Sequence, residues 1–115
     1  MQFNLNSVTI LVKTFKRPSA LLALLNSIRE SYPEIPILIA DDSGVSEKQH
    51  TYRLLSEFKN TRYFAMPLDS GLSAGRNLLV SQAETPLVMM LDDDTIFQAD
   101  TRIEWAIEIL NRFPY

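Results

Sequence analysis

The sequence contains no cysteine, which excludes a disulfide framework, a thiolate zinc site and a cysteine nucleophile. With a single histidine, His50, a histidine-rich metal cage is excluded as well. Long apolar runs are missing, and stretches such as Pro86 to Leu91 fall far short of the roughly 20 residues that span a bilayer. The first residues carry neither a basic stretch nor a small-residue cleavage site, so no secretory signal and no transmembrane segment is expected. The expected location is cytoplasmic, with peripheral membrane contact allowed. Basic charge is not in excess: a formal net charge of −3 argues against a nucleic-acid partner bound by bulk electrostatics. An anionic ligand therefore needs local basic residues or a metal.

What is present is ordinary globular composition, 46% apolar and 22% charged, in a length of 115 residues that suits one domain, 1–115. The three glycines and six prolines fall between periodic segments. Apolar periodicity predicts four short strands, each followed by a helix. The first strand is expected over Val8–Val12, and Pro18 then opens a helix with Leu21, Leu24, Leu25 and Ile28 as its inner stripe. Pro36 to Ala40 is apolar without alternation, as in a strand covered on both faces. A helix from Ser46 to Phe58 is expected to turn Tyr52, Leu55 and Phe58 inward, with His50 at the surface. Further strands are expected at Arg62–Met66 and Leu87–Leu91, with loop and helix over Gly71–Ala83. Tyr63, Phe64 and Trp105 are expected in or beside the core. The last helix places Ile103, Ala106, Ile107 and Leu110 at core spacing, opposite Glu104, Glu108 and Arg112.

This β-α-β-α-β-α-β-α order implies an α/β, Rossmann-like parallel sheet with right-handed crossovers. Ligands of such sheets bind beyond the carboxyl ends of the strands, so the residues that follow each strand matter most. They are Lys13-Thr14-Phe15-Lys16-Arg17, Asp41-Asp42-Ser43-Gly44 and Asp92-Asp93-Asp94-Thr95. Two acidic clusters and a basic one are thus expected at one edge.

Adjacent carboxylates repel, by roughly 3 kcal/mol for charges about 6 Å apart at an effective dielectric near 20. Asp92, Asp93 and Asp94 gain most from a bound cation, and hard oxygen ligands suit Mg²⁺ or Mn²⁺. Residues two apart in an extended segment share a side, so Asp92 and Asp94 can face a ligand together. The plainer alternative is a solvated loop before a capped helix. Asp41 and Asp42 can accept from a ribose hydroxyl or a base N–H, or form an ordinary aspartate-rich turn. Gly71-Leu72-Ser73-Ala74-Gly75-Arg76-Asn77 opens a helix whose amides favour a phosphate, with Arg76 as a charged partner. Its spacing matches neither G-x-x-x-x-G-K-[ST] nor G-x-G-x-x-G, and a tight loop with an exposed arginine is the alternative.

These four segments, with Thr9 to Arg17, Ile39 to Ser43, Gly71 to Asn77 and Leu91 to Thr95 in order, resemble the nucleotide-sugar-binding half of family 2 inverting glycosyltransferases with the GT-A fold. Within that family the combination looks closest to ganglioside-type β-1,4-N-acetylgalactosaminyltransferases. The resemblance implies a partial GT-A fold and a UDP-sugar donor held through Mn²⁺ or Mg²⁺. It implies that Thr14 and Asp41 or Asp42 hold uracil and ribose, with Arg17, Arg76 and Asp93 in the donor-nucleotide site. Asp92 would touch ribose or metal, and Asp94 would ligate the metal. The acceptor would be a glycan or glycolipid.

Transferases of this kind normally need roughly twice this length, the later half supplying the acceptor pocket and the general base. The chain is therefore expected to be a donor-binding half, inactive in transfer by itself, with an exposed sheet edge that favours homo-oligomers. A non-catalytic nucleotide-sugar-binding module shares every motif. A phosphoacceptor receiver domain or an aspartate-nucleophile phosphatase would want acidic residues after the first strand, where Lys13 and Thr14 stand.

Overall fold

Alternating strands and helices fold into three layers in the computed structural model, which describes residues 2–113. Met1, Pro114 and Tyr115, part of the expected 1–115 domain, lie outside the described residues. The elements are β1 (Val8–Thr14), α1 (Pro18–Ser31), β2 (Ile37–Asp41), α2 (Val45–Leu55), β3 (Thr61–Ala65), α3 (Leu72–Gln82), β4 (Leu87–Asp92) and α4 (Ile103–Arg112). A short 3-10 turn, Leu5–Ser7, precedes β1 and was not anticipated by the periodicity. All strand pairs are parallel, in the order β3-β2-β1-β4.

β1 and β2 form the middle of the sheet and are apolar on both faces. Ile10, Val12, Ile37 and Ile39 pack with Leu21, Leu24, Leu25 and Ile28 of α1, Leu55 of α2, and Ile103 and Ile107 of α4. Leu11, Leu38 and Ala40 point the other way, onto Leu79 of α3. Each fully buried aliphatic side chain contributes roughly 1.5–3 kcal/mol, so this central pair dominates the hydrophobic stabilisation. Pro18 stands in the first turn of α1, where a missing N–H costs nothing.

The helix faces differ in part from their periodicity. α2 ends a turn early and buries Thr51 and Leu55, while Tyr52 is 64% exposed and touches Tyr63 edge-on. α4 buries Ile103 and Ile107 only; Ala106 and Leu110 are exposed and Trp105 is 63% exposed. Among the described residues no other layer covers that side of α4, so correct spacing alone does not produce burial. Among the described residues no helix is long and apolar enough to cross a membrane.

The strand order reverses at β1, whose neighbours β2 and β4 both follow it in the chain but lie on opposite sides of it in the sheet. A crevice therefore opens beyond the carboxyl ends of β1 and β4. Pairing places Lys13 beside Asp92 on one side and Ala40 on the other, and Thr14 beside Asp41.

Candidate functional site

A cleft of about 460 Å³ occupies that crevice, lined from β1 and its following loop by Lys13, Thr14, Phe15 and Arg17. Asp92 at the end of β4 and Asp93 and Asp94 in the turn after it line it next, and Asp42, Asp69, Gly71 and Leu72 close the remaining side. Its lining holds five carboxylates against two cations.

The aspartate run alternates. Asp93 turns inward and is 7% exposed. Its Oδ2 accepts the Thr14 hydroxyl at 2.9 Å, and its Oδ1 lies 3.4 Å from Arg17 Nη1. Asp92 and Asp94 turn outward, with side chains 70% and 66% exposed. Arg76 Nη2 lies 3.3 Å from Asp92, and Arg17 Nη1 lies 3.5 Å from Asp94. Two solvent-facing carboxylates thus flank one buried carboxylate, each with a guanidinium at hand. The turn that follows is tied to α1: Ser27 Oγ accepts from the Phe97 amide at 2.9 Å, and Phe97 meets Tyr32 edge-on. The Tyr32 hydroxyl donates to Glu104 and accepts from the Ile103 amide, so it caps the start of α4. Burial, and then the Glu104 bond, push the Tyr32 phenol above its ordinary value, while that same bond holds the Glu104 carboxyl below its own.

Of the two expectations for Asp41 and Asp42, open acceptors or an aspartate-rich turn, Asp41 follows the turn. Asp41 is fully buried; its Oδ1 accepts from the Ser43 amide at 2.9 Å and from the Ser43 hydroxyl, and its Oδ2 accepts from the Tyr63 hydroxyl at 2.7 Å. Burial, and then the Asp41 carboxylate, push the Tyr63 phenol far above its ordinary range, so the phenol stays protonated as the donor. Ser43 Oγ in turn accepts from the Lys16 amide at 2.7 Å, stapling the loop after β1 to the end of β2. Direct contact of Asp41 with a ligand would require breaking this network, and it does not line the cleft.

Asp42 lines the cleft but is already engaged. Its Oδ1 pairs with the Lys13 ammonium, and its Oδ2 accepts the Gly71 amide at 2.9 Å. Burial alone would push the Asp42 carboxyl up, but the Lys13 ammonium and the Gly71 N–H outweigh it and hold the group below the usual carboxylate range. The glycine stretch is likewise occupied. Gly71 takes φ +97°, a conformation that L side chains rarely adopt, and its amide serves Asp42 rather than an open phosphate position. Gly75 makes room for protein, not ligand: a Cβ there would stand 2.3 Å from Cδ of Lys13.

Arg76 does not line the cleft and reaches its rim through Asp92, with its Nε buried and unpartnered among the described residues. His50 is exposed on α2, away from the cleft. Sequence reasoning passed over Phe15, Asp69 and Leu72, and placed Lys13 only in a basic group beside the exit of the first strand. The signals were faint: Phe15 and Leu72 merely adjoin the motifs, and nothing local marks Lys13 for burial.

A family model described as glycosyl transferase family 2 matches residues 9–115. Among curated proteins, the chain is 44% identical over 114 residues to β-1,4 N-acetylgalactosaminyltransferase 1 of Rattus norvegicus, covering 98% of this chain and 20% of that protein. It is 40% identical over 107 residues to β-1,4 N-acetylgalactosaminyltransferase 2 of Mus musculus, covering 93% of this chain and 20% of that one. The chain thus spans about a fifth of the relatives it matches. Among solved structures, S. aureus TarS 1–349 superposes with a TM-score of 0.75 at 19% identity, covering 92% of this chain and 32% of TarS. The same TarS fragment in complex with UDP-GlcNAc gives 0.73 at 21% identity, covering 92% of this chain and 31% of that one. At these identities the structural likeness shows a shared fold.

Proposed function

The chain belongs to glycosyl transferase family 2, and from that premise we propose that its cleft is the donor half of an inverting glycosyltransferase site. The donor is a UDP-sugar, the ion that holds it Mn²⁺ or Mg²⁺, and the acceptor a glycan or glycolipid. One observation carries the reading: Asp92 and Asp94 present two exposed carboxylates at the mouth of a cleft whose lining is strongly acidic. Such a lining repels a bare diphosphate and accepts one that arrives with a cation. The TarS structures solved with UDP and with UDP-GlcNAc support the choice of ligand on the same fold.

The donor set fits a hard divalent ion whose coordination is completed by the substrate. Among the described residues no group of three or more His, Cys, Asp or Glu side chains forms a ready-made cage. One or two carboxylates with substrate phosphates and water is the usual arrangement for Mg²⁺, and Asp92 and Asp94 would supply the carboxylates. Bound there, the ion supplies charge neutralisation of the leaving diphosphate. The rest falls to the chain. Arg17 and Arg76 already stand beside Asp94 and Asp92, and exchange part of those ion pairs for phosphate oxygens. Thr14 keeps the inward carboxylate of Asp93 fixed, so the outward pair is presented at a constant angle. Asp41 and Asp42 act from behind, by holding the loops that border the nucleotide.

Attack at the anomeric carbon needs a base that takes the acceptor's proton, a contribution of typically 10²–10⁴-fold. Four of the five carboxylates in the cleft, Asp42, Asp92, Asp93 and Asp94, are already paired on the donor side, and His50 is remote, so we place this base elsewhere than on these groups. Calorimetric titration of UDP and several UDP-sugars, with Mn²⁺ and with excess EDTA, tests the donor reading. Binding with Mn²⁺ and its loss in EDTA are expected; equal binding in EDTA would sink the metal-dependent reading. Robust acceptor-dependent release of UDP by this chain alone would place a base within it.

A further inference from the structure

Lys13 is an unusual residue for the end of a central strand. Its side chain is 7% exposed, its ammonium pairs with Asp42, itself 2% exposed, and it also donates to the Thr14 carbonyl at 3.1 Å. Its stem runs beneath α3 through space that exists because residue 75 is glycine: a Cβ there would stand 2.3 Å from Cδ and 2.6 Å from Cε. A buried ion pair is poor evidence of net stability, since desolvation offsets much of the attraction. What this pair does is join three elements. Asp42 at the end of β2 is held by Lys13 of β1, and with its other oxygen it holds the Gly71 amide at 2.9 Å, at the entry to α3. The Asp42 carbonyl also accepts from the Asp69 amide at 2.9 Å. Asp69, Gly71 and Leu72 border the cleft, and Arg76, next to Gly75, pairs with the outward Asp92.

We infer that Lys13 is a positioning residue of the proposed donor site. It neutralises Asp42 and wedges against Gly75, and thereby fixes both the loop from Asp69 to Leu72 and the Arg76–Asp92 pair where a nucleoside diphosphate is held. The inference rests on the donor reading above. Lys13 acts through Asp42 and Gly75 and is not itself a ligand, because its ammonium already serves Asp42 and the Thr14 carbonyl and its side chain is almost wholly covered.

Three variants separate the charge from the wedge. Lys13→Met keeps an apolar stem and removes the ammonium. Gly75→Ala keeps both charges and displaces the stem. Lys13→Met combined with Asp42→Asn removes the pair together, so that no charge is stranded if the first variant folds poorly. Each is titrated with UDP and Mn²⁺ at a temperature where circular dichroism shows it folded, and the Gly71 amide is followed by ¹⁵N–¹H spectroscopy. If the loop is correctly placed only about a tenth of the time, affinity falls about tenfold, and all three variants should show at least that loss. The Gly71 amide should shift and lose protection from exchange in each. A merely structural role predicts a lower melting temperature with unchanged affinity and an unchanged Gly71 signal in the folded protein, and that result overturns the inference. Failure of the unaltered chain to bind UDP overturns the donor reading and this inference with it. Binding by the unaltered chain, undiminished in all three variants, overturns the inference alone.

Discussion

Replacing Thr14 with valine removes one hydrogen bond and almost no volume, which makes it a clean probe of how the aspartate run is held. The Thr14 hydroxyl donates to Asp93 Oδ2 at 2.9 Å, and both side chains are buried. A hydrogen bond to a charged group contributes about 1.5–3 kcal/mol. The remaining contact, Arg17 at 3.4 Å, comes from a side chain that is 57% exposed, and such pairs are worth little, so it does not compensate. Unfolding entropy near 2.1 cal/mol/K per residue gives about 0.24 kcal/mol/K for 115 residues, so Thr14→Val should lower the melting temperature by about 6–12 °C. Thr14→Ser keeps the hydroxyl and should lose much less. In an Asp93→Asn background the acceptor is neutral, and the cost of Thr14→Val should shrink to about 0.5–1.5 kcal/mol. Scanning calorimetry on the five proteins, parent included, measures all of this. A Thr14→Val melting temperature within about 2 °C of the parent, the range of inert surface changes, would refute the assignment of Asp93 as the anchored carboxylate.

Asp94→Asn should weaken Mn²⁺-dependent UDP binding in calorimetric titration while leaving the melting temperature nearly unchanged, because its side chain is 66% exposed; a clear loss of folding would favour a capping role instead. Arg76→Ala should cost less than about 1 kcal/mol of stability, as its partner Asp92 is largely exposed, yet lose on the order of 1–3 kcal/mol of UDP affinity. Tyr32→Phe strips the Glu104 and Ile103 partners from the start of α4 and should destabilise by about 1–3 kcal/mol in urea titration, and a change near zero would remove Tyr32 as the cap. The Asp42 carboxyl is depressed when folded, so its contribution is present above the ordinary value of 3.8 and is lost as pH falls through the folded value. Glu104 has the same sign, so the melting temperature should fall below about pH 4, and a flat profile from pH 5 to pH 3 would contradict both.

The sheet was legible because β1 and β2 are covered on both faces, and such strands show as unbroken apolar runs. The outward pairing of Asp92 and Asp94 was legible too, since side chains two apart share a face of an extended segment. Tyr52 and Trp105 were misplaced because periodicity reports which residues share a helix face and not whether another layer covers it. Asp41 and Asp42 were left open between ligand acceptors and an ordinary turn because their partners are distant in sequence. Tyr63 comes 22 residues after Asp41, and Lys13 lies 29 residues before Asp42. A single chain read locally cannot distinguish a carboxylate awaiting a ribose from one already holding a tyrosine and a serine.

The alternation of the aspartate run bears on how β4 tolerates slippage along β1. If one residue were lost within β4, Asp94 would occupy the inward position facing Thr14, and if one were gained, Asp92 would do so. Either way the inward place still receives a carboxylate, because the run is three long and the pleat has a period of two. The outward places fare differently, since a shift in either direction brings a residue from outside the run, Thr95 or whatever precedes Asp92, into one of them. Repetition thus keeps a carboxylate beside Thr14 through a misalignment that would still disarm the cleft. Insertions and deletions in β4 also exchange the faces of Leu87, Met89, Met90 and Leu91, so they should lower the melting temperature as well as remove the paired outward charges.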